Sequence, residues 1–286
     1  MMRVVKVGVI GAGVMGSGVA QSAAMAGLTV SLLDIQEAKL EQAKETISSA
    51  LRFRALFGAA DNAESSEAIL ERIRFGQGYE LLRDADFVIE NATEDWEVKK
   101  AIYESIDGIC KDSCYFMINT SCISITKLAA LTRRADRVAG THFMNPVPMK
   151  RTIEVIRGYH TSDSTIAAIG GLLEKMGKDM IVVEDYPGFV SNRISHLYMN
   201  EAAYVVQDQV ASPEAVDDIF KRCYGHAMGP LETADLIGLD TVVHSLNVLY
   251  ESYQDPKFRC CPLLKKMVEA GLHGKKSGQG FYTYDM

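Results

Sequence analysis

His142 and Glu154 are the residues whose types and spacing point most directly to acid–base chemistry. Histidine has the side chain whose unperturbed pKa lies nearest neutrality, which makes it the commonest general acid or base. A carboxylate beside it fixes the tautomer and stabilises the imidazolium. His142 leaves an apolar run, Val138 to Thr141, and Pro146 and Pro148 brace the chain that follows. Glu154 then returns inside a second apolar run, Ile153 to Ile156. The pattern predicts a proton moved to or from a substrate group.

The stretch that must position a cofactor lies at the start of the chain. Val4 to Ile10 is a β-branched apolar run of the kind buried on both faces of a sheet. Gly11-Ala-Gly13-Val14-Met15-Gly16 follows at once, then an alanine-rich helical segment from Ser17 to Ala26 with Gly27 as its stop. A second strand, Thr29 to Leu33, ends in Asp34. This strand–glycine loop–helix–strand–acid order is the dinucleotide-binding fingerprint. Gly11 allows the tight turn, Gly13 lets the backbone approach a pyrophosphate, and Gly16 packs helix on strand. Asp34 would accept hydrogen bonds from the adenosine ribose and repel a 2′-phosphate, so the cofactor predicted is NAD. Everything upstream of His142 would then place a nicotinamide against it, and everything downstream would close the pocket.

Helices are expected over Glu37 to Arg54 and Ser66 to Ile73, joined by a small-residue loop from Gly58 to Ser65. Together they predict a helical arm over about residues 50–75. Strands follow at Phe87 to Glu90 and Tyr115 to Asn119, with Asp95 as N-cap of the helix between them. In open α/β sheets ligands bind beyond the carboxyl ends of the strands. Gly11 to Gly16, Glu94, Asn119 to Cys122 and His142 to Asn145 all fall at such ends. Taken singly, Ser121 reads as a cap for a helix over Ile125 to Leu131, and Asn145 as a turn residue; their convergence gives them weight. A helix over Ser164 to Met176 and a strand over Met180 to Val183 precede Asp185-Tyr-Pro-Gly188, a breaker and the predicted domain boundary.

Beyond it the pattern is wholly helical, at Phe189 to Val210, Ser212 to Cys223, Pro230 to Ile237, Thr241 to Tyr253 and Pro262 to Ala270. The fold class expected is α/β: a Rossmann-type doubly wound sheet over residues 1–186, followed by an all-α domain over 187–286. Leu236, Ile237, Leu239, Val242, Val243, Leu246 and Leu249 look like more apolar surface than that domain needs for itself, which predicts a homodimer.

Composition excludes several classes. A chain of 286 residues with 48% hydrophobic and 23% charged residues is ordinary globular protein. The net charge of −7 argues against a nucleic-acid or anionic-membrane partner. The six cysteines show neither zinc-site spacing nor a disulfide framework, so no metal and reduced cytoplasmic thiols are expected. Val4 to Leu33 holds a single charge, Lys6, yet its glycines break any continuous span, and neither membrane insertion nor export is expected.

Six segments carry a resemblance to the 3-hydroxyacyl-CoA dehydrogenase family, its short bacterial 3-hydroxybutyryl-CoA dehydrogenase-like members in particular. They are Val9 to Gly16, Asn119 to Ser124, His142 to Pro148, Pro187 to Arg193, Gly229 to Leu231 and Gly278 to Tyr282. The resemblance implies NAD-dependent oxidation of a 3-hydroxyacyl thioester, with His142 as base, Glu154 as its partner, and Ser121 and Asn192 orienting the substrate. It also implies cofactor contacts from Gly11, Gly13, Val14, Met15, Gly16, Asp34, Glu94, Lys99, Asn119, Ser121 and Asn145, and dimerisation through the helical domain.

Two stretches depart from the family pattern. The arm lacks the family's lysine-rich turn for coenzyme A phosphates: no lysine occurs between Lys44 and Lys99, and its basic residues are Arg52 and Arg54 until Arg72 and Arg74. The segment before Glu154 reads Lys150-Arg151-Thr152 instead of being hydrophobic. Both departures leave an acyl-carrier-protein-bound substrate, as in polyketide extender-unit pathways, open beside coenzyme A, since such carriers are acidic. Two rivals remain. A 6-phosphogluconate-type dehydrogenase would need a lysine on the helix Phe189 to Val210, and there is none. A non-catalytic NAD-binding sensor would leave His142, Glu154, Ser121 and Asn192 free to drift, yet all four are filled.

Overall fold

Eight short strands rich in β-branched residues make one sheet, because such side chains pack well on a pleated surface buried on both faces. They are β1 (Lys6–Ile10), β2 (Thr29–Leu33), β3 (Ile73–Gly76), β4 (Phe87–Glu90), β5 (Tyr115–Ile118), β6 (Val138–His142), β7 (Thr152–Arg157) and β8 (Asp179–Glu184). Their order is β3-β2-β1-β4-β5-β6-β7-β8. Every neighbouring pair is parallel except β6 and β7. The computed structural model describes residues 5–57 and 64–285, and the chain divides into two units, Met1–Asp185 and Tyr186–Met286.

In the first unit α1 (Val14–Met25) follows the glycine loop and buries Val19, Ala20, Ala23 and Ala24 completely. They share a core with Val9, Val30, Leu32, Ile89, Met117, Ala139 and Val155. Small residues bring the helix close to the sheet, and Gly16 is the extreme case: a Cβ there would lie 1.7 Å from the Gly11 carbonyl oxygen. Gly11 itself has φ +89°, a backbone that favours glycine. α2 (Glu37–Phe57) and α3 (Ser66–Leu70) complete the crossover to β3, and α4 (Trp96–Ile106), α5 (Ile125–Ala129) and α6 (Asp163–Lys175) serve the later strands.

The expected helix over Ser66 to Ile73 stops at Leu70, and Ile73 instead opens β3, opposite Val30 of β2. The sequence hid this strand because it is only four residues long and carries an arginine, which an edge position tolerates. The arm over 50–75 is therefore shorter than expected. Its residues 58–63, most of the predicted Gly58 to Ser65 loop, lie outside the described residues. The cap of α5 is Ser124, whose hydroxyl accepts from Lys127 N, and not Ser121.

The second unit holds α7 (Ser191–Gln207), α8 (Pro213–Tyr224), α9 (Pro230–Ile237), α10 (Leu239–Tyr253) and α11 (Pro262–Glu269). α7 is shorter than the expected Phe189 to Val210, because Gly188 and Phe189 both take positive φ before it. Leu239, Val242 and Leu246 pack with Met199, Ala203 and Leu264 in this unit's own core, so most of the apolar surplus is internal; Leu236 and Ile237 are exposed. Two buried carboxylates hold the last segment. Asp235 accepts from Phe281 N, Tyr282 N and the Tyr284 hydroxyl, and Asp217 from Leu231 N, Glu232 N and the Tyr282 hydroxyl. A Cβ at Gly280 would stand 2.1 Å from Asp235 Oδ1, which explains the small residue in Gly278 to Tyr282. No helix among the described residues is long and apolar enough to cross a membrane.

Gly16→Ala forces its methyl group against backbone that cannot rotate away. It should lower stability by about 1–3 kcal/mol, the usual cost of overpacking, read as the shift in urea midpoint at unchanged slope. An unshifted midpoint would contradict the close helix–strand contact.

Candidate active site

The antiparallel pairing of β6 with β7 sets His142 directly opposite Glu154. Side chains of opposed residues stand on one face within reach of each other, and His142 Nδ1 lies 3.0 Å from Glu154 Oε2. Both side chains are about nine-tenths buried. On the other side of the ring, Nε2 lies 3.3 Å from Ser121 Oγ. A serine hydroxyl, an imidazole and a carboxylate thus stand in line, with the outer imidazole nitrogen turned toward the serine.

The loop that carries Ser121 is fixed by acids from two directions. Glu94 Oε1 accepts from Thr120 Oγ1 at 2.5 Å, from Ser121 N at 2.9 Å and from Cys122 N at 2.9 Å. Further along, Asp185 accepts from the Ser124 hydroxyl and from the backbone N–H groups of Ile125 and Thr126. With Ser124 it satisfies donors that the first turn of α5 would otherwise leave open.

Behind the loop lies a charge pair enclosed on all sides. The Lys99 ammonium sits 2.8 Å from each oxygen of Glu90 and donates to the Asn119 carbonyl at 3.0 Å. Neither side chain has any exposure. Burial pushes the Glu90 carboxyl up despite the opposing pull of Lys99. Asn119 relays the contact: its amide donates to Asn91 Oδ1 and its oxygen accepts from Phe143 N, next to His142. Lys178 performs a similar service for the 143–151 loop, donating to the carbonyls of Val147 at 2.7 Å and Lys150 at 2.8 Å.

Two clefts open beside these groups. The first, about 600 Å³, lies at the carboxyl ends of β1 and β4, where the strand order reverses, and is lined by Gly11, Gly13, Asp34, Gln36, Asn91 and Thr93 among others. It suits a dinucleotide. A Cβ on Gly13 would meet nothing within 4 Å, so the loop backbone is open there. Asp34 uses one oxygen on Ala12 N and the other on Gln36 N, and each retains lone pairs for a ribose. The second groove, about 680 Å³, runs between α2 and the 145–149 loop, with Val14, Lys39, Phe53, Arg54, Asn145 and Met149 in its walls.

The residues expected from the sequence therefore separate into groups. Ser121, His142 and Glu154 meet; Gly11, Gly13 and Asp34 line the first cleft; Val14, Arg54 and Asn145 line the second. Arg52 is exposed on the last turns of α2, and Met15 is partly buried against the core. Asn192 stands in the first turn of α7, in the second unit, its carbonyl within 2.9 Å of His196 Nδ1. Lys99 departs from the direct cofactor contact expected of it, because its ammonium is enclosed with Glu90, one layer back. Glu94 is engaged with the Ser121 loop. The supports that went unassigned, Glu90, Asp185 and Lys178, left only faint traces: an acid ending the apolar run Phe87 to Ile89, an acid before Tyr186-Pro187, and a lysine after Gly177.

Residues 6–186 match the 3-hydroxyacyl-CoA dehydrogenase NAD binding domain, and residues 188–284 match the 3-hydroxyacyl-CoA dehydrogenase C-terminal domain. The chain is 44% identical, over 99% of both sequences, to a probable 3-hydroxybutyryl-CoA dehydrogenase of Bacillus subtilis. It is also 44% identical to the 3-hydroxybutyryl-CoA dehydrogenase of Bradyrhizobium diazoefficiens, over 98% of this chain and 95% of that one. The crystal structure of (S)-3-hydroxybutyryl-CoA dehydrogenase from Ralstonia eutropha superposes with a TM-score of 0.94 at 43% identity, covering 99% of this chain and 100% of the other.

Lys99→Met leaves the Glu90 carboxylate buried without its cationic partner, and should cost about 3–5 kcal/mol. Glu90→Leu combined with Lys99→Met removes both charges and should recover most of that loss. Denaturant unfolding of the two variants checks this; equal destabilisation in both would mean the pair is not the source.

Proposed function

The chain belongs to the 3-hydroxyacyl-CoA dehydrogenase family and is an NAD-dependent oxidoreductase acting on a CH–OH group; from that premise we propose that it oxidises the 3-hydroxyl of a short 3-hydroxyacyl thioester, 3-hydroxybutyryl-CoA in the first instance. The observation that carries this reading is the line Ser121–His142–Glu154, with distances of 3.3 and 3.0 Å. Bound NAD would supply the hydride acceptor for C3. Gly11, Gly13 and Asp34 would hold it in the first cleft.

His142 Nε2 takes the proton of the 3-hydroxyl, and in the reverse direction returns it. Glu154 accepts a hydrogen bond from Nδ1–H, which leaves Nε2 as the basic nitrogen and stabilises the ring once it is charged. Ser121 orients the hydroxyl, and Asn192 is assigned the same task for the thioester, so that proton and hydride leave in one geometry. The second groove takes the carrier arm, with Arg54 in its wall. Dimerisation through the helical unit belongs to the same proposal, supported by exposed Val210, Ile219 and Tyr224. A non-catalytic sensor is set aside, because the chain is an oxidoreductase.

The carrier has a second reading. Arg52 and Arg54 near the end of α2, with Lys150 and Arg151 beyond the groove loop, would suit an acidic carrier-protein surface as well as a nucleotide. The discriminating assay offers the 3-hydroxybutyryl group on coenzyme A and on acyl carrier protein and compares NADH formation. Efficient turnover on coenzyme A alone removes the carrier-protein reading.

His142→Gln should keep NAD binding while losing roughly 10²–10⁴ in turnover. Calorimetric binding of NAD and steady-state NADH production read the two effects separately, and retained turnover would refute His142 as the base.

A further inference from the structure

The line Ser121–His142–Glu154 has the composition and order of an acyl-transfer triad as well as of a dehydrogenase relay. A nucleophilic serine needs a base within hydrogen-bond reach and a carboxylate on the far nitrogen of that base. Ser121 Oγ to His142 Nε2 is 3.3 Å, and His142 Nδ1 to Glu154 Oε2 is 3.0 Å. A thioester is an electrophile for such a serine. What a triad further requires is a pair of N–H donors for the oxyanion, 2.7–3.1 Å from where that oxygen would develop. Known arrangements use the nucleophile's own N–H or that of the following residue.

Here both donors exist and both are taken. Ser121 N and Cys122 N converge on one oxygen, Glu94 Oε1, each at 2.9 Å. That oxygen is a carboxylate acceptor occupying both donors an oxyanion would need, and its charge would repel one developing beside it. Thr120 Oγ1 donates to the same oxygen and anchors it. Glu94 itself is exposed, so this plug is seated by hydrogen bonds and not by packing.

We propose that Ser121, His142 and Glu154 form a latent thioester hydrolase whose oxyanion hole is plugged by Glu94, which keeps the chain a dehydrogenase. This rests on the thioester reading of the substrate given above. In the unplugged site Ser121 Oγ bonds to the thioester carbonyl carbon while His142 takes its proton. The carbon–sulfur bond breaks and the leaving thiolate receives that proton. Water then attacks the acyl-serine with the same proton relay, releasing the acid and restoring Ser121. The sum is thioester plus water giving carboxylic acid plus thiol, with no change in oxidation state.

Butyryl-CoA is the probe, since without a 3-hydroxyl it cannot be oxidised at C3. Released coenzyme A is quantified by chromatography on the full chain, which avoids thiol reagents that would also label exposed Cys223. Glu94→Ala should release coenzyme A at least about tenfold faster than the wild type, a conservative share of the 10²–10³ that one oxyanion donor contributes. Adding Ser121→Ala should return the rate to the uncatalysed background. Acid-quenched Glu94→Ala should show a butyryl adduct by intact mass, absent from the double variant. Glu94→Ala no faster than wild type, or a double variant as fast as the single one, overturns the proposal. Should Glu94→Ala not fold, Glu94→Asp withdraws the carboxylate by one methylene and meets the same criteria. NADH formation from 3-hydroxybutyryl-CoA in the same wild-type preparation reads the dehydrogenase assignment separately.

Discussion

The site depends on one antiparallel pairing in an otherwise parallel sheet. Parallel neighbours are joined by long crossovers, and the side chains at their carboxyl ends come from distant parts of the sequence. β6 and β7 instead run as a hairpin, so a histidine leaving one strand and a glutamate entering the next are forced opposite each other. The Nδ1–Oε2 contact follows from register, and a slip of one residue would turn Glu154 to the other face of the sheet. The rest of the unit serves this pair: β5 delivers the Ser121 loop beside it, and β1 and β4 open the dinucleotide cleft at the point where the strand order reverses.

Three glutamates near these strand ends illustrate how environment assigns work to one side-chain type. Glu90 is enclosed and held against Lys99, and it acts through Asn119 on the backbone beside His142. Glu94 is exposed and ties down the Ser121 loop with a single oxygen. Glu154 is nearly buried and faces an imidazole. On the proposed function, the last is the one positioned to influence a proton in transit. Glu90 acts on the place of the histidine, and Glu94 occupies the two amides beside the serine, whose loop Asp185 also holds.

What the sequence made legible was what has a local signature. The glycine loop was readable because strand, turn, helix and acid follow one another within thirty residues, and each glycine answers a steric demand that Gly11 and Gly16 do meet in the fold. The His142 and Glu154 pairing was readable because two apolar runs flank a braced loop. β3 was missed because a four-residue edge strand with an arginine carries too little periodicity. Lys99 was misread because its partner lies on the preceding strand and its burial is a property of the packed unit, which no spacing encodes.

The same distinction explains why acyl transfer was invisible at the level of sequence. Ser121, His142 and Glu154 could be assigned individually, but a triad is defined by which nitrogen faces which oxygen, and an oxyanion hole by the direction of two backbone N–H groups. In the sequence Glu94 reads only as an expected cofactor contact at a strand end. In the fold its oxygen completes the hydrogen bonding of two adjacent amides, the arrangement a tetrahedral oxyanion would require. An enzyme that must hold a thioester beside a serine and a histidine without cleaving it needs some such obstacle, and a carboxylate is well suited to it: it satisfies the donors in the resting site and opposes the charge that hydrolysis would create.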